Sequence, residues 1–379
     1  MDWEAGACLA LDALAMKPTR GIPQWMIHLM EIPELEYFAG RAPGDYRRDV
    51  EGVYLGFQRR VGACLVDQYI PDNPLSMNSD GCDPHTGRGA TTGAETIVVD
   101  GMRIAGPEDV VAHLEQFEFP RLEQTTAAHG PDEPARCEAL VERERSIQRR
   151  FGPSIVKVPY DGFFAFPHLR YGTYGYANYL MAVALYPEVI ERDFALQADL
   201  AERRNATSAR AIVEGRLPRV VRCDHDMADS RGTLVDPRVL DRIWFPHFAR
   251  SIRPLLDAGV RLLWHCDGNL MAMVPRLIEA GISGFQGFQY EDGMDYERIC
   301  RMTDRQGGPL MIWAGVSVTR TLPMGTPDHV AAELKWLVRY GPQVGLCLGA
   351  SSSICPGVPR ANLQALFDGL KYYREHGRG

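Results

Sequence analysis

No apolar run in this 379-residue chain approaches the roughly 20 residues needed to cross a bilayer. The longest, such as Leu180–Leu185 and Leu310–Val318, are far shorter, so a membrane partner is not expected. Excess positive charge is missing too. Lys and Arg total 41 against 49 Asp and Glu, a net charge of −8 without a basic block, which argues against nucleic acid as a partner. Paired cysteines are absent: nine Cys, at 8, 64, 82, 137, 223, 266, 300, 347 and 355, are odd in number and never spaced C-x-x-C. A disulfide framework or zinc finger is therefore not expected, and a reducing cytoplasm is. The start, MDWEAGACLALDALAMKP, carries Asp2 and Glu4 where an export signal carries positive charge, so export is not expected either. Finally, there is no internal repeat, no low-complexity tract, and no G-x-G-x-x-G after the first predicted strand, which removes the dinucleotide-binding sheet.

What is present is a globular composition, 45% hydrophobic with 37 Gly. Eight short runs, apolar on both faces and bounded by polar, Gly or Pro residues, predict buried strands: Gln24–Met30, Ala63–Ile70, Ser154–Tyr160, Arg219–Cys223, Arg261–Trp264, Gly284–Gln289, Leu310–Val316 and Val344–Gly349. Helical patterns follow several of them, at Tyr176–Ala211, Asp236–Asp257, Leu270–Ala280, Asp295–Thr303, Pro327–Tyr340 and Pro359–His376. Eight strands alternating with helices predict an α/β fold, a (β/α)8 TIM barrel spanning residues 1–379 as one domain. The interval 72–153 is too long for one crossover and reads as a helical insertion after the second strand, with two polar helices flanking the turn His129–Pro134. That position places it on the catalytic rim.

In such a barrel the chemistry sits where the strands end, and here those ends are polar. His28 ends the first strand, Asp67 the second, Tyr160 and Asp161 the third, and Asp224, His225 and Asp226 the fourth. His265, Cys266 and Asp267 end the fifth, Gln289 and Glu291 the sixth, Ser317 the seventh, and Ser351, Ser352 and Ser353 the eighth. Carboxylates and imidazoles closing apolar strands are costly to bury unless they line a solvated or ligand-filled cavity. Asp161, Ser317 and the serines also suit helix caps, and His225 suits a loop hydrogen bond. Asp67, His265 and Asp267 lie in or directly after buried runs and precede no helix, which favours function. His265 and Asp267, two apart on extended chain, face one way while Cys266 faces outward as core filler. The pair suits a metal chelate, a general acid with its orienting carboxylate, or a structural hydrogen bond.

Three stretches carry a resemblance: WHCDGNLMAMVPRLIEAGISGFQGFQYEDGMD, MIWAGVSVTRTLPMGTPDHVAAEL and GLCLGASSSICPGVPRANLQAL. In order and spacing they resemble the uroporphyrinogen decarboxylase superfamily, with weaker echoes in RGIPQWM, GACLVDQYIP and ADSRGTLVDPRVLDRIWFPHF. The resemblance implies the (β/α)8 barrel over most of the chain except 72–153, and a homodimer. Against a true decarboxylase, the arginine-rich segment that holds a porphyrinogen's carboxylates is replaced by MIHLMEIP, with His28 and Glu31, and the rim carries Asp67, Asp226, Asp267 and Glu291. The corrinoid-dependent methyltransferase branch is nearer, but its thiol-activating zinc set is incomplete. His265 is retained, whereas Asp267 and Ser352 stand where that set has cysteines.

The reading that results is a methyltransferase-like enzyme moving a methyl group from a small methylated O, N or S compound to a corrinoid carried by a partner protein, with no cofactor in the chain itself. His265, Asp267 and Asp67 are the expected catalytic residues. His28, Tyr160, Asp226, Gln289, Glu291, Tyr174, Tyr176 and Ser352 are expected at the substrate, with the tyrosines as an aromatic wall for an aryl ether or a quaternary ammonium. Zinc is expected only if Glu291 completes a His265, Asp267, Glu291 set. Decarboxylation of a small or porphyrinogen-like acid, with Asp67 stabilising the intermediate, and a non-catalytic binding barrel are the alternatives.

Overall fold

A computed structural model describes residues 2–72, 77–78, 81–82, 97–130 and 133–378. Seven parallel strands form where the apolar runs predict them: β1 Leu65–Val66, β2 Val156–Lys157, β3 Val220–Asp224, β4 Arg261–His265, β5 Gly284–Gln286, β6 Met311–Val316 and β7 Leu346–Ala350. β3 to β7 form one five-stranded sheet in chain order, and β1 and β2 form a separate pair. The eighth expected strand, Gln24–Met30, is extended chain whose parallel bridges, Gln24 to Leu348 and Trp25 to Leu65, connect β7 to β1. It makes no regular ladder because the Gln58 side chain takes both backbone groups of Ile27. The Ile27 N–H donates to Oε1 at 3.3 Å and its carbonyl accepts from Nε2 at 2.7 Å.

Among the described residues no backbone pairing joins β2 to β3, so the closed barrel expected from the sequence is not observed; the strands form an arc with one gap. β2 is only two residues long, and two residues after it Pro159, lacking an N–H, cannot extend the ladder. Side chains bridge the gap instead. The Tyr160 hydroxyl donates to Asp224 Oδ2 at 3.3 Å, and the Arg222 guanidinium lies 4.7 Å from the Tyr160 ring centroid.

Alternation along the strands sorts their side chains into two apolar bodies. Val220, Leu263, Met311, Trp313 and Cys347 pack inside the arc with Trp25, Leu65 and Ala7, Ala10 and Ala13 of the helix Ala5–Leu14. Their neighbours Val221, Leu262, Trp264, Ile312 and Leu348 pack outward with the surrounding helices. Among those, Pro327–Tyr340 and Arg360–His376 form where predicted, while the long helix expected over Tyr176–Ala211 is two, Tyr176–Leu185 and Pro187–Gly215. Tyr186, directly before Pro187, leaves the helical region at φ −130° and ψ 51°. The helix expected over Asp236–Asp257 breaks likewise, into Pro237–Ile243 and Phe245–Asp257.

Within the interval 72–153, residues 73–76, 79–80, 83–96 and 131–132 lie outside the described residues. The two polar helices form as Phe119–Ala128 and Pro134–Phe151, preceded by the hairpin Ile97–Val99 with Met102–Ile104 and the helix Pro107–His113. Pro134–Phe151 runs into β2, and its Glu144 pairs with Lys157 at 2.7 Å, so it acts as the crossover helix between β1 and β2. The preceding part rests on the segment that leaves the carboxyl end of β2: His113 Nδ1 meets the Tyr174 hydroxyl at 2.9 Å, and Arg170 pairs with Glu118 at 2.9 Å.

The sheet tolerates no side chain at Gly315 of β6, where a Cβ would sit 2.0 Å from the backbone carbon of Ala350. Gly315→Ala is expected to cost about 3 kcal/mol or more, read as a lowered urea midpoint. Gly172→Ala, with nothing within 4 Å of the added carbon, should change that midpoint little.

Candidate active site

The carboxyl ends of the strands enclose a cavity of about 170 Å³, lined by Trp25, His28, Gln68, Ile70, Arg222, Asp224, His265, Gln286, Ser352 and Ser353. Beneath it runs a chain of charges. Asp67, 1% exposed, accepts from Arg222 Nε at 2.6 Å and from Trp25 Nε1 at 3.0 Å. Arg222, 2% exposed, reaches on through Nη1 to Asp224 Oδ2 at 3.1 Å. Trp25 and Tyr160 both present their rings to the guanidinium, with centroids at 5.5 and 4.7 Å. Burial opposes the charged form of Asp224, yet the His265 imidazole and the Arg222 guanidinium beside it hold its carboxyl below the usual range.

His265 is fixed from behind. Its Nδ1 lies 3.2 Å from the Gln286 carbonyl, so that nitrogen carries the proton and donates it. Nε2 then faces Asp224 at 3.7 Å and Asp267 at 3.9 Å. Gly287, at φ +74°, turns the chain closely over the ring; a Cβ there would lie 2.5 Å from His265 Nδ1. The amide of Gln286 donates to Ser351 O at 3.2 Å, and its Oε1 has no partner among the described residues. Cys266 turns away, taking the Met227 N–H at 3.3 Å, and burial pushes its thiol up.

The structure brings His28, His265 and Ser352 together on one cavity wall, with His28 Nδ1 2.9 Å from Ser353 Oγ. Asp267 borders it, 3.5 Å from Ser352 Oγ, and Asp226 accepts the Asp267 backbone N–H at 2.8 Å. Burial pushes Asp226 above the usual carboxyl range. Asp67 stands behind the wall, held by Trp25 and Arg222 rather than presented to it. Tyr160 lies beside the same guanidinium. Gln289 is occupied by the Gly268 N–H at 2.6 Å, and Glu291 takes the Ser317 hydroxyl at 2.6 Å and the Thr319 hydroxyl. Glu291 therefore does not stand with His265. Tyr174 is fully buried against His113, and Tyr176 stacks on Tyr171 at 4.5 Å, with Tyr171 stacked in turn on His225. The tyrosines form no wall to this cavity.

Arg222, Trp25 and Gln286 escape a reading of strand ends, and Asp224, which that reading puts at the end of the fourth strand, is not among the expected site residues. Arg222 is the instructive miss: a lone Arg inside VVRC, two residues before Asp224, puts a cation on the same inner face as that carboxylate. Among the described residues two groups have ligand atoms close enough to hold a metal. Asp224, Asp226 and His265 lie at the cavity, while Asp100, His113 and Glu118 are committed to Arg121, Tyr174 and Arg170. The first set holds no thiolate, so it does not fit a thiol-activating zinc and has the donor chemistry of a harder divalent ion.

No protein-family model and no curated protein matches the chain. Among solved structures it is similar to a methyltransferase from Methanosarcina mazei, with 16% identity and a TM-score of 0.55 over 97% of this chain and 98% of the other. It is also similar to a B12-independent methionine synthase from Shewanella sp. W3-18-1, solved with selenomethionine, at 14% identity and a TM-score of 0.40 over 62% and 67% of the two chains.

His225 supplies a test of the wall behind the site. It accepts the Leu169 N–H at Nε2 (3.0 Å), and burial pushes its imidazole down to about 3. The unfolded chain binds a proton as pH falls through the ordinary value of about 6.5, whereas the folded chain does not until about 3. Its contribution is thus complete above pH 6.5 and decays below it, by about 3 kcal/mol at pH 4.5. Chemical denaturation at pH 7 and 4.5 should show a loss smaller by that amount in His225→Gln than in the native chain. Whole-chain similarity at 16% identity establishes shared fold, and the conclusion is that this chain has the α/β architecture of the Methanosarcina mazei methyltransferase from end to end.

Proposed function

We propose that the chain is a methyltransferase-like enzyme that takes a methyl group from a small methylated compound and passes it to a corrinoid carried by a partner protein. The observation that carries this reading is the cavity at the strand ends: about 170 Å³, with the free nitrogen of a fixed imidazole facing two carboxylates. A cavity of roughly 150 Å³ takes a molecule the size of benzene, so the site suits a small donor. Its one guanidinium is already paired with Asp67 and Asp224, leaving no cationic clamp for a porphyrinogen's carboxylates. That weighs against the decarboxylase alternative.

The chemistry asked of the residues is modest. A methyl group leaves a heteroatom readily when that atom departs neutral, and His265, with a second proton on Nε2 between Asp224 and Asp267, is placed to give that proton to it. Asp224 and Asp267 hold the imidazole's outer nitrogen toward the cavity, as the Gln286 carbonyl holds the inner one. Trp25, Ile70 and His28 exclude water around the methyl group. The corrinoid, when bound by its carrier, supplies the nucleophile. No step is assigned to zinc, whose thiolate ligands are missing.

The test is methyl transfer to chemically reduced cobalamin, followed by its absorbance, from a panel of methyl ethers, methylamines and methyl thioethers. At least one donor is expected to react, and His265→Ala should lower the rate about 100-fold or more with an unchanged urea midpoint. Transfer that survives His265→Ala, or no transfer from any donor alongside release of CO2 from a small acid, contradicts the reading.

A further inference from the structure

The polar groups around the cavity are out of balance, and the imbalance selects a ligand charge. Five donor atoms around it are committed to protein acceptors: Trp25 Nε1 to Asp67, Arg222 Nε and Nη1 to Asp67 and Asp224, Gln286 Nε2 to Ser351 O, and Ser352 Oγ to Asp267. Acceptors are in surplus. Asp67, Asp224, Asp226 and Asp267 set four carboxylates against the Arg222 guanidinium and the His265 ring, and Gln286 Oε1 has no donor among the described residues. A carboxylate, sulfonate or phosphate entering here meets no free guanidinium or ammonium and is repelled by Asp224. A neutral ether leaves the excess negative charge uncompensated.

Resting on the methyltransferase reading, we infer that the cavity takes a small methylated ammonium cation, of about six or fewer non-hydrogen atoms, as methyl donor. A cation seated between Asp224 and His265 compensates the carboxylates, and its methyl groups lie against Trp25 and Ile70. The step balances without an added acid, so with this donor His265 gives no proton and serves to position the cation beside Asp224. The C–N bond breaks with its electron pair remaining on nitrogen, the ammonium leaves as a neutral amine, and the methyl carbon takes a new electron pair from the reduced corrinoid of the partner. The charge that anchors the donor therefore disappears as the methyl group departs, so the product amine is held less tightly than the substrate and is free to leave.

Isothermal titration of the full chain with trimethylammonium, tert-butanol and acetate, with chelator present, tests this separately from any transfer assay. Trimethylammonium is expected to saturate one site, with the neutral and anionic probes about tenfold weaker or weaker still. Asp224→Asn, whose side chain is 38% exposed, should weaken trimethylammonium about tenfold and leave tert-butanol unchanged; Asp267→Asn, 41% exposed, provides a second such variant. Equal or tighter binding of tert-butanol or acetate overturns the inference. So does one equivalent of Mn2+, added without chelator to the native chain, being held by Asp224 while trimethylammonium is not bound at all. Methyl transfer from a neutral ether without ammonium binding defeats this inference and leaves the methyltransferase reading intact, whereas ammonium binding without transfer from any donor supports the cation site but defeats that reading and, with it, the donor role.

Discussion

The buried pair of Asp67 and Arg222 is the constraint around which the rest of the interior is arranged. A guanidinium at 2% exposure is tolerable only with nearly complete compensation, and the structure provides it from four side chains. Asp67 after β1 and Asp224 at the end of β3 supply charge, while the Trp25 and Tyr160 rings supply their faces. Because Asp67 and Tyr160 follow β1 and β2, and Arg222 and Asp224 belong to β3, the same contacts span the gap that backbone pairing leaves open. One cation thus closes the arc and uses the donors beneath the cavity.

The site's character follows from that use. With Arg222 occupied, the wall above it presents carboxylate and imidazole rather than a cationic clamp. His265 has its proton committed to the Gln286 carbonyl, and Gly287 is the residue whose missing side chain allows that approach. A metal-centred reading and an ammonium-centred reading both draw on Asp224, which explains why the chemistry turns on charge and not on a conspicuous motif.

Sequence pattern alone places seven regular strands, because apolar runs flanked by polar and Gly/Pro residues report burial on both faces. It misjudges Gln24–Met30 because nothing local announces that Gln58, some thirty residues on, takes the backbone of Ile27. It does not foresee the gap at β2, where Pro159 denies a donor to the next strand. At the site, His28, His265, Asp267 and Ser352 are legible as strand-end polar groups. Glu291 and Tyr174 look equally suitable in sequence, but one is taken by Ser317 and Thr319 and the other is buried with His113. Local spacing carries no signal of those partners. Arg222 is missed for the opposite reason, since a charged residue inside an apolar run reads as an exception until Asp67 is seen beside it.

The proposed chemistry requires a methylated ligand to be held in the acid-lined cavity at the strand ends. A crystal structure of the full chain grown with trimethylammonium locates it directly. Density is expected inside the space bounded by Trp25, His28, Asp224 and His265, in contact with the Asp224 carboxylate and with Arg222 still paired to Asp67. Density for a metal ion joining Asp224, Asp226 and His265 in its place, or a ligand bound only elsewhere on the chain, would contradict it.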